Sequence, residues 1–126
     1  MKKLIILVLL SFVVISGKVS AQYPNIPAAT DPSNDLNEPV VAVSPANGNN
    51  IVLVWEQFNE NYYAPLGYGI ATDGGYKWKT KNLDSVQVGR NRFFKYGVDP
   101  SVAIDKNGNS YICYTALGDD EGLAGC

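Results

Sequence analysis

Apolar positions open the chain as one run, Leu4 to Ile15, behind Lys2 and Lys3 and ahead of Ser16-Gly17-Lys18. A positive start, a short apolar core and the small residues Val19-Ser20-Ala21 form the three-part layout of a secretory signal peptide. The run is too short to span a bilayer as a helix, which takes roughly 20 apolar residues. Residues 1–21 are therefore expected to be cut away, leaving a chain that starts at Gln22 and is secreted or held in the periplasm or at the cell surface. Residues 22–37 follow as an extended leader punctuated by Pro24, Pro27 and Pro32. Asp31, Ser33 and Asp35 imitate the opening of a calcium loop. Leu36 and Ala42 stand where such a loop needs Gly and Glu, so no metal is expected.

From Val40 the pattern becomes that of strands. Val40–Val43 and Ile51–Trp55 are apolar runs too short for helices, and their continuous apolarity predicts burial on both faces. The segment Ser44–Asn49 between them is a turn cluster. Gly67–Ala71 is a third strand, and Tyr76–Thr80 a fourth whose alternating Lys marks an outer edge. Asp73-Gly74-Gly75 joins those two as a hairpin, because Asp and Gly accept the positive φ angles of a tight turn. Four such strands in succession make an antiparallel meander.

The chain then repeats itself. Glu38-Pro39-Val40-Val41-Ala42-Val43 is echoed by Asp99-Pro100-Ser101-Val102-Ala103-Ile104, Asn47-Gly48-Asn49 by Asn107-Gly108-Asn109, and Ile51–Val54 by Tyr111–Tyr114. The offset is 61 at the Pro and 60 at the Gly. Repetition of four-stranded units points to an all-β partial β-propeller. One antiparallel blade spans 38–83, a connecting loop 84–98, the first two strands of a second blade 99–116, and an unstructured tail 117–126. A ring needs about four to eight blades, so the sequence is expected to be the N-terminal part of a longer exported protein.

Composition narrows the chemistry. The 126 residues include no His, which removes the commonest acid–base group near neutral pH and the commonest zinc ligand. Loss of Lys2, Lys3 and Lys18 with the signal peptide leaves seven basic residues against twelve acidic ones. That balance does not suit nucleic acid, which is bound by neutralising phosphates. No membrane contact is expected after cleavage. Cys113, inside an apolar run, reads as a buried thiol and Cys126 as a terminal one; export also permits a disulfide between them. No cofactor is implied.

Ala71-Thr72-Asp73-Gly74-Gly75-Tyr76-Lys77-Trp78 resembles the Asp box of sialidase-type propellers (the bacterial neuraminidase repeat), whose pattern is Ser/Thr-x-Asp-x-Gly-x-Thr-Trp. Asp73, Gly75 and Trp78 match; Ala71 and Lys77 stand where the family has Ser/Thr and Thr. The resemblance covers about residues 37–116, and it implies a structural box that does no chemistry. It also implies a sialidase-like segment that serves as a non-catalytic scaffold for a glycan or an extracellular protein. The alternative it implies is the N-terminal piece of an exo-α-sialidase-like glycoside hydrolase. Family sialidases use an arginine cluster, a Tyr–Glu nucleophile and an Asp acid–base, and no position here matches those motifs well enough to carry a catalytic role.

Candidate ligand contacts come from the two longer connections. Glu60, Tyr62 and Tyr63 lie in one, Arg90 and Arg92 in the other. Paired Arg suit a carboxylate, and aromatic side chains suit a sugar ring. In a meander both connections fall at one end of the sheet, opposite the Ser44–Asn49 and Asp73–Gly75 turns.

Overall fold

The computed structural model describes residues 25–60, 62–90, 92–118 and 124–125; the expected signal peptide and Cys126 lie outside them. The described residues are all-β, without a helix, and form two antiparallel sheets that do not close into a ring. In the first sheet β1 (Asp35–Val43), β2 (Ile51–Asn59), β4 (Gly67–Ala71) and β5 (Lys79–Asn82) lie side by side in chain order. The two-residue β3 (Tyr62–Tyr63) adds to β2. The second sheet orders β6 (Val86–Gly89), β7 (Arg92–Ile104), β8 (Ser110–Gly118) and β9 (Ala124–Gly125).

The segment read as a loop, 84–98, is thus β6 and the first half of β7. Val86-Gln87-Val88 alternates and turns at Arg90, and β7 gains a ladder to β8 along most of its length. The tail read as unstructured carries β8 to Gly118 and returns Ala124–Gly125 to pair with Leu117 and Ala116. The fourth strand starts at Lys79 rather than Tyr76, since residues 72–78 are taken up by the turn.

The core sits where the sheets face each other. Val52, Val54 and Leu66 are buried, with Val40 and Tyr68 beside them and Val102, Ile104, Ile112 and Tyr114 arriving from the second sheet. Val40, Val54 and Tyr68 are ladder partners, so they share one side of the first sheet. Val54 is 0% exposed; full burial of such a side chain stabilises by about 1.5–3 kcal/mol. β7 can approach because of Gly97: a Cβ there would stand 2.7 Å from the Leu66 side chain. On the opposite side of the first sheet the leader lies over Trp55. A hollow of about 210 Å³ remains between Ala28, Ala29, Leu53 and Trp55. Trp55 Nε1 is buried without a hydrogen-bond partner among the described residues.

The internal repeat is present in the backbone. Both copies carry a bulge at the acidic-Pro pair, between Asn37 and Val40 in β1 and between Val98 and Ser101 in β7. Pro cannot donate to a ladder and is confined to such irregular places. The preceding residues, Glu38 and Asp99, take matching left-handed conformations with φ of 47° and 52°. The ladders also fix the correspondence. Val40 opposite Val54 becomes Ser101 opposite Cys113, and Val43 opposite Ile51 becomes Ile104 opposite Ser110. The shifts are 61 for the first strand and 59 for the second, so the sequence echo placed β8 one residue out of step. The second turn is two residues shorter: Ser44 N–H to Asn50 C=O (2.9 Å) closes the first, Asp105 N–H to Asn109 C=O (3.0 Å) the second.

Two burial expectations are corrected. Val41 and Val43 are 61% and 52% exposed, because the side of β1 facing away from the second sheet has no cover there. Cys113 is an exposed free thiol rather than a buried one, since it lies on the outward side of β8.

Candidate functional site

The Asp73 turn is built from local chemistry. Asp73 Oδ1 accepts the Lys77 N–H at 3.0 Å, and Gly74 and Gly75 hold φ of 79° and 91°. The Trp78 ring folds back over the sheet; a Cβ at Gly69 would lie 3.2 Å from it. Gly74 N–H donates to Asn49 C=O at 3.0 Å, tying this turn to the β1–β2 turn at the same end. Asp73 and Gly75 shape this turn, and Trp78 lies against the sheet at Gly69.

Leu83 N–H donates to Leu66 C=O at 2.8 Å and marks the other end, where Glu60, Tyr62 and Tyr63 lie. Glu60 is exposed in the turn after β2, and Tyr62 pairs with Asn59 through the ladder. Tyr63 rests its ring on Phe58, with centroids 5.3 Å apart at 46°. Arg90 and Arg92 are exposed at the β6–β7 turn. β7 passes Leu66 at Gly97 and Glu56 at Asp99 before reaching the core at Val102 and Ile104, so its start projects beyond that same end. The candidate residues share an end but not a sheet. Neither group lines the lysine groove described below.

A carboxylate cluster went unread in the sequence. Oxygens of Glu38, Glu56 and Asp99 all lie within 4.8 Å of one another. Glu56, only 4% exposed, accepts the Asp99 N–H at 2.5 Å. Burial pushes its carboxyl above the usual glutamate range. The Asp99 N–H opposes that rise, while the nearby carboxylates of Glu38 and Asp99 add to it. A raised carboxyl in a cleft would suit acid catalysis. Here it lies in the joint between the sheets and bridges the two equivalent bulges, so it acts as a staple.

A groove of about 470 Å³ runs along β4 and β5. Tyr68 and Ile70 pair with Lys81 and Lys79, which puts all four side chains on one side of the sheet. Lys77 and Asp73 close the end of the groove at the turn. Three ammonium groups beside one carboxylate, over a ring and an aliphatic chain, make a cationic shelf with an apolar floor. The alternation Lys77, Lys79, Lys81 was visible in the sequence but indicated only an edge strand. Compared with known proteins, the chain matches no family model, no curated protein and no solved structure.

Proposed function

We propose that this chain is an exported segment of a sialidase-like, Asp-box β-propeller that serves as a non-catalytic scaffold for an acidic glycan. One observation carries the reading: two bulged hairpins recur with fixed shifts of 61 and 59, the second packed on the first. The Asp73–Lys77 hydrogen bond and the Trp78 contact support the Asp-box part of it.

The ligand seat is the Lys77–Lys79–Lys81 groove, where a sugar ring rests on Tyr68 and a carboxylate pairs with ammonium groups. Arg90 and Arg92 are the competing seat. Titration of sialylated, uronic-acid and neutral oligosaccharides by NMR separates the two. The two acidic sugars shift Tyr68 and Ile70 resonances and the neutral one does not. Lys79→Ala with Lys81→Ala removes the shift, whereas Arg90→Ala with Arg92→Ala retains it. Loss in the arginine variant alone moves the seat to the other end; no shift in the parent chain refutes glycan binding.

A further inference from the structure

The leader crosses the first sheet without filling the space beneath it. Two hollows, of about 220 and 210 Å³, lie between the leader and the sheet and meet along Ala29, Leu36 and Trp55. The first is edged by polar side chains, Asp31, Gln57, Thr80 and Asn82; the second is edged by Ala28, Pro39 and Leu53. Both walls of this cleft belong to the described residues. Trp55 lies at its centre, with the ring laid across β4 at two glycines. A Cβ at Gly67 would collide with Nε1, and one at Gly69 would stand 3.5 Å from Cζ3. Gly67 faces Asn82 through the ladder, which puts Nε1 at the polar end of the cleft. Trp55 is 5% exposed, and Nε1 has no partner among the described residues, whereas a buried indole N–H ordinarily finds an acceptor. The polar groups around it are held in place but not used up. Gln57 Nε2 donates to Pro65 C=O at 2.5 Å and to Asn82 Oδ1 at 2.8 Å, which spends the Asn82 acceptor and leaves its Nδ2 donor. Asp31 accepts the Ser33 N–H at 2.8 Å and Asn34 Nδ2 at 2.7 Å. These bonds hold its carboxyl below the usual range, so it is ionised at neutral pH.

We propose that this cleft seats one neutral hexose unit, on the opposite side of the sheet from the lysine groove. Joined, the hollows fall within the range of about 300–1,000 Å³ over which small-molecule sites spread, which is room for a single sugar ring. The indole N–H and the Asn82 amide donate to hydroxyl oxygens, and the Asp31 carboxylate accepts from a hydroxyl. The carbon face of the ring rests on Leu36 and Leu53. Ionised Asp31 repels a sugar that carries a carboxylate. Lys81 borders the cleft as well, but it pairs with Tyr68, and its side chain lies on the groove side. The two seats therefore select opposite ligands, acidic in the groove and neutral in the cleft. The inference rests on Trp55 and the space beside it, and it is independent of which ligand the groove takes.

The indole N–H signals in NMR spectra of the full chain test the seat, because there are two tryptophans and Trp78→Phe assigns them. The methyl glycosides of glucose, galactose and mannose are the neutral probes, and glucuronic acid is the charged one. At least one neutral glycoside moves the Trp55 indole signal, and glucuronate binds at least about tenfold more weakly, as like charges in contact dictate. Ala29→Leu fills the place where the hollows meet and removes the shift, with the melting temperature unchanged or raised. Asn82→Ala, at an exposed strand position, weakens binding by about tenfold through one lost hydrogen bond and covers the case in which Ala29→Leu folds poorly. A Trp55 signal unmoved by all three neutral glycosides, as when water alone meets the indole N–H, overturns the proposal. So does a shift that survives Ala29→Leu in a folded chain, or glucuronate binding as tightly as the neutral sugars. Tyr68 and Ile70 resonances report the lysine groove separately, so failure of either seat is told apart from failure of the other.

Discussion

The β1–β2 and β7–β8 hairpins share a bulge, an unusual backbone angle and a ladder, yet they bury opposite sides. The first turns Val52 and Val54 inward and leaves Val41 and Val43 in water. The second turns Ile112 and Tyr114 inward and leaves Tyr111 and Cys113 out. A strand's two sides alternate with a period of two, so a shift of one residue in the alignment exchanges them. The Asn-Gly-Asn echo suggests that one-residue error, because the second turn is two residues shorter than the first. What a hairpin buries is set by its neighbour; its own pattern, apolar on both sides here, is compatible with either choice.

Filling the space at Gly97 is expected to have the largest effect. Gly97 corresponds to Leu36 of the first hairpin, and only the Gly faces a crowded partner. A Cβ would stand 2.7 Å from both the Leu66 and Tyr114 side chains. Gly97→Ala should lower unfolding stability in urea by about 1–3 kcal/mol, the usual cost of overpacking. Leu36→Ala should cost less, since Leu36 is only half-buried, beside Ala29 and Trp55 under the leader. A smaller loss for Gly97→Ala than for Leu36→Ala would mean that β7 does not press on Leu66.

Glu56 and Thr115 form the next pair. Glu56→Ala leaves the Asp99 N–H without its acceptor, at a cost of about 1–3 kcal/mol for an unmet buried donor. Thr115→Ala removes no such bond between the sheets and should be milder. Charge can be separated from hydrogen bonding with Glu56→Gln. Because the folded carboxyl titrates above its unfolded value, the native state holds its proton more tightly. Stability is therefore lost as pH rises from the ordinary glutamate range through the raised folded value. Gln stays neutral, so its stability relative to the parent should improve over that same window and level off above it. Asp31 and Asp105, held below the usual range chiefly by bonds from Asn34 and Asn109, act in the opposite direction, but they are common to both proteins and cancel in the difference. A Glu56→Gln chain whose stability relative to the parent falls with rising pH would contradict the assignment.

Local features were the ones legible in the sequence. β4 has the bounds expected from Gly67–Ala71, and the Asp73 turn uses its own neighbours, five residues from Asp73 to Lys77. β6 pairs locally with the start of β7, so only its short Val86-Gln87-Val88 alternation could announce it, whereas the second partner of β7 is β8, which arrives from the far side of the Asp105 turn. The Glu56 staple spans 43 residues and forms only when two bulges are brought together, so no spacing in the chain announces it. The lysine groove lies between these cases. Its period-two alternation was visible, but the apolar floor depends on Tyr68 and Ile70 sitting opposite.

The smallest contrast separates the two Asn-Gly-Asn turns, which look alike in sequence. Gly108 holds φ at 87°, a conformation that side chains rarely adopt, and a Cβ there would meet no atom within 4 Å. Its cost on substitution is thus purely conformational, about 1 kcal/mol for Gly108→Ala. Gly48 also has open space around it, but its φ is outside the left-handed range. Ala there mainly restricts the unfolded chain, so Gly48→Ala should be neutral or stabilising by up to about 1 kcal/mol. The reason for the difference lies in the closing bonds. Asp105 Oδ1 takes the N–H groups of Asn107 and Asn109 at 2.8 and 2.9 Å and forces a five-residue turn around Gly108. The seven-residue first turn is spread over Ser44 and Asn47, which accept the N–H groups of Ala46 and Asn49. Paired denaturation curves for the two alanine variants should therefore move in opposite directions or differ clearly in size. Equal losses would show that the turns share one conformation and that the two-residue shortening has no structural consequence.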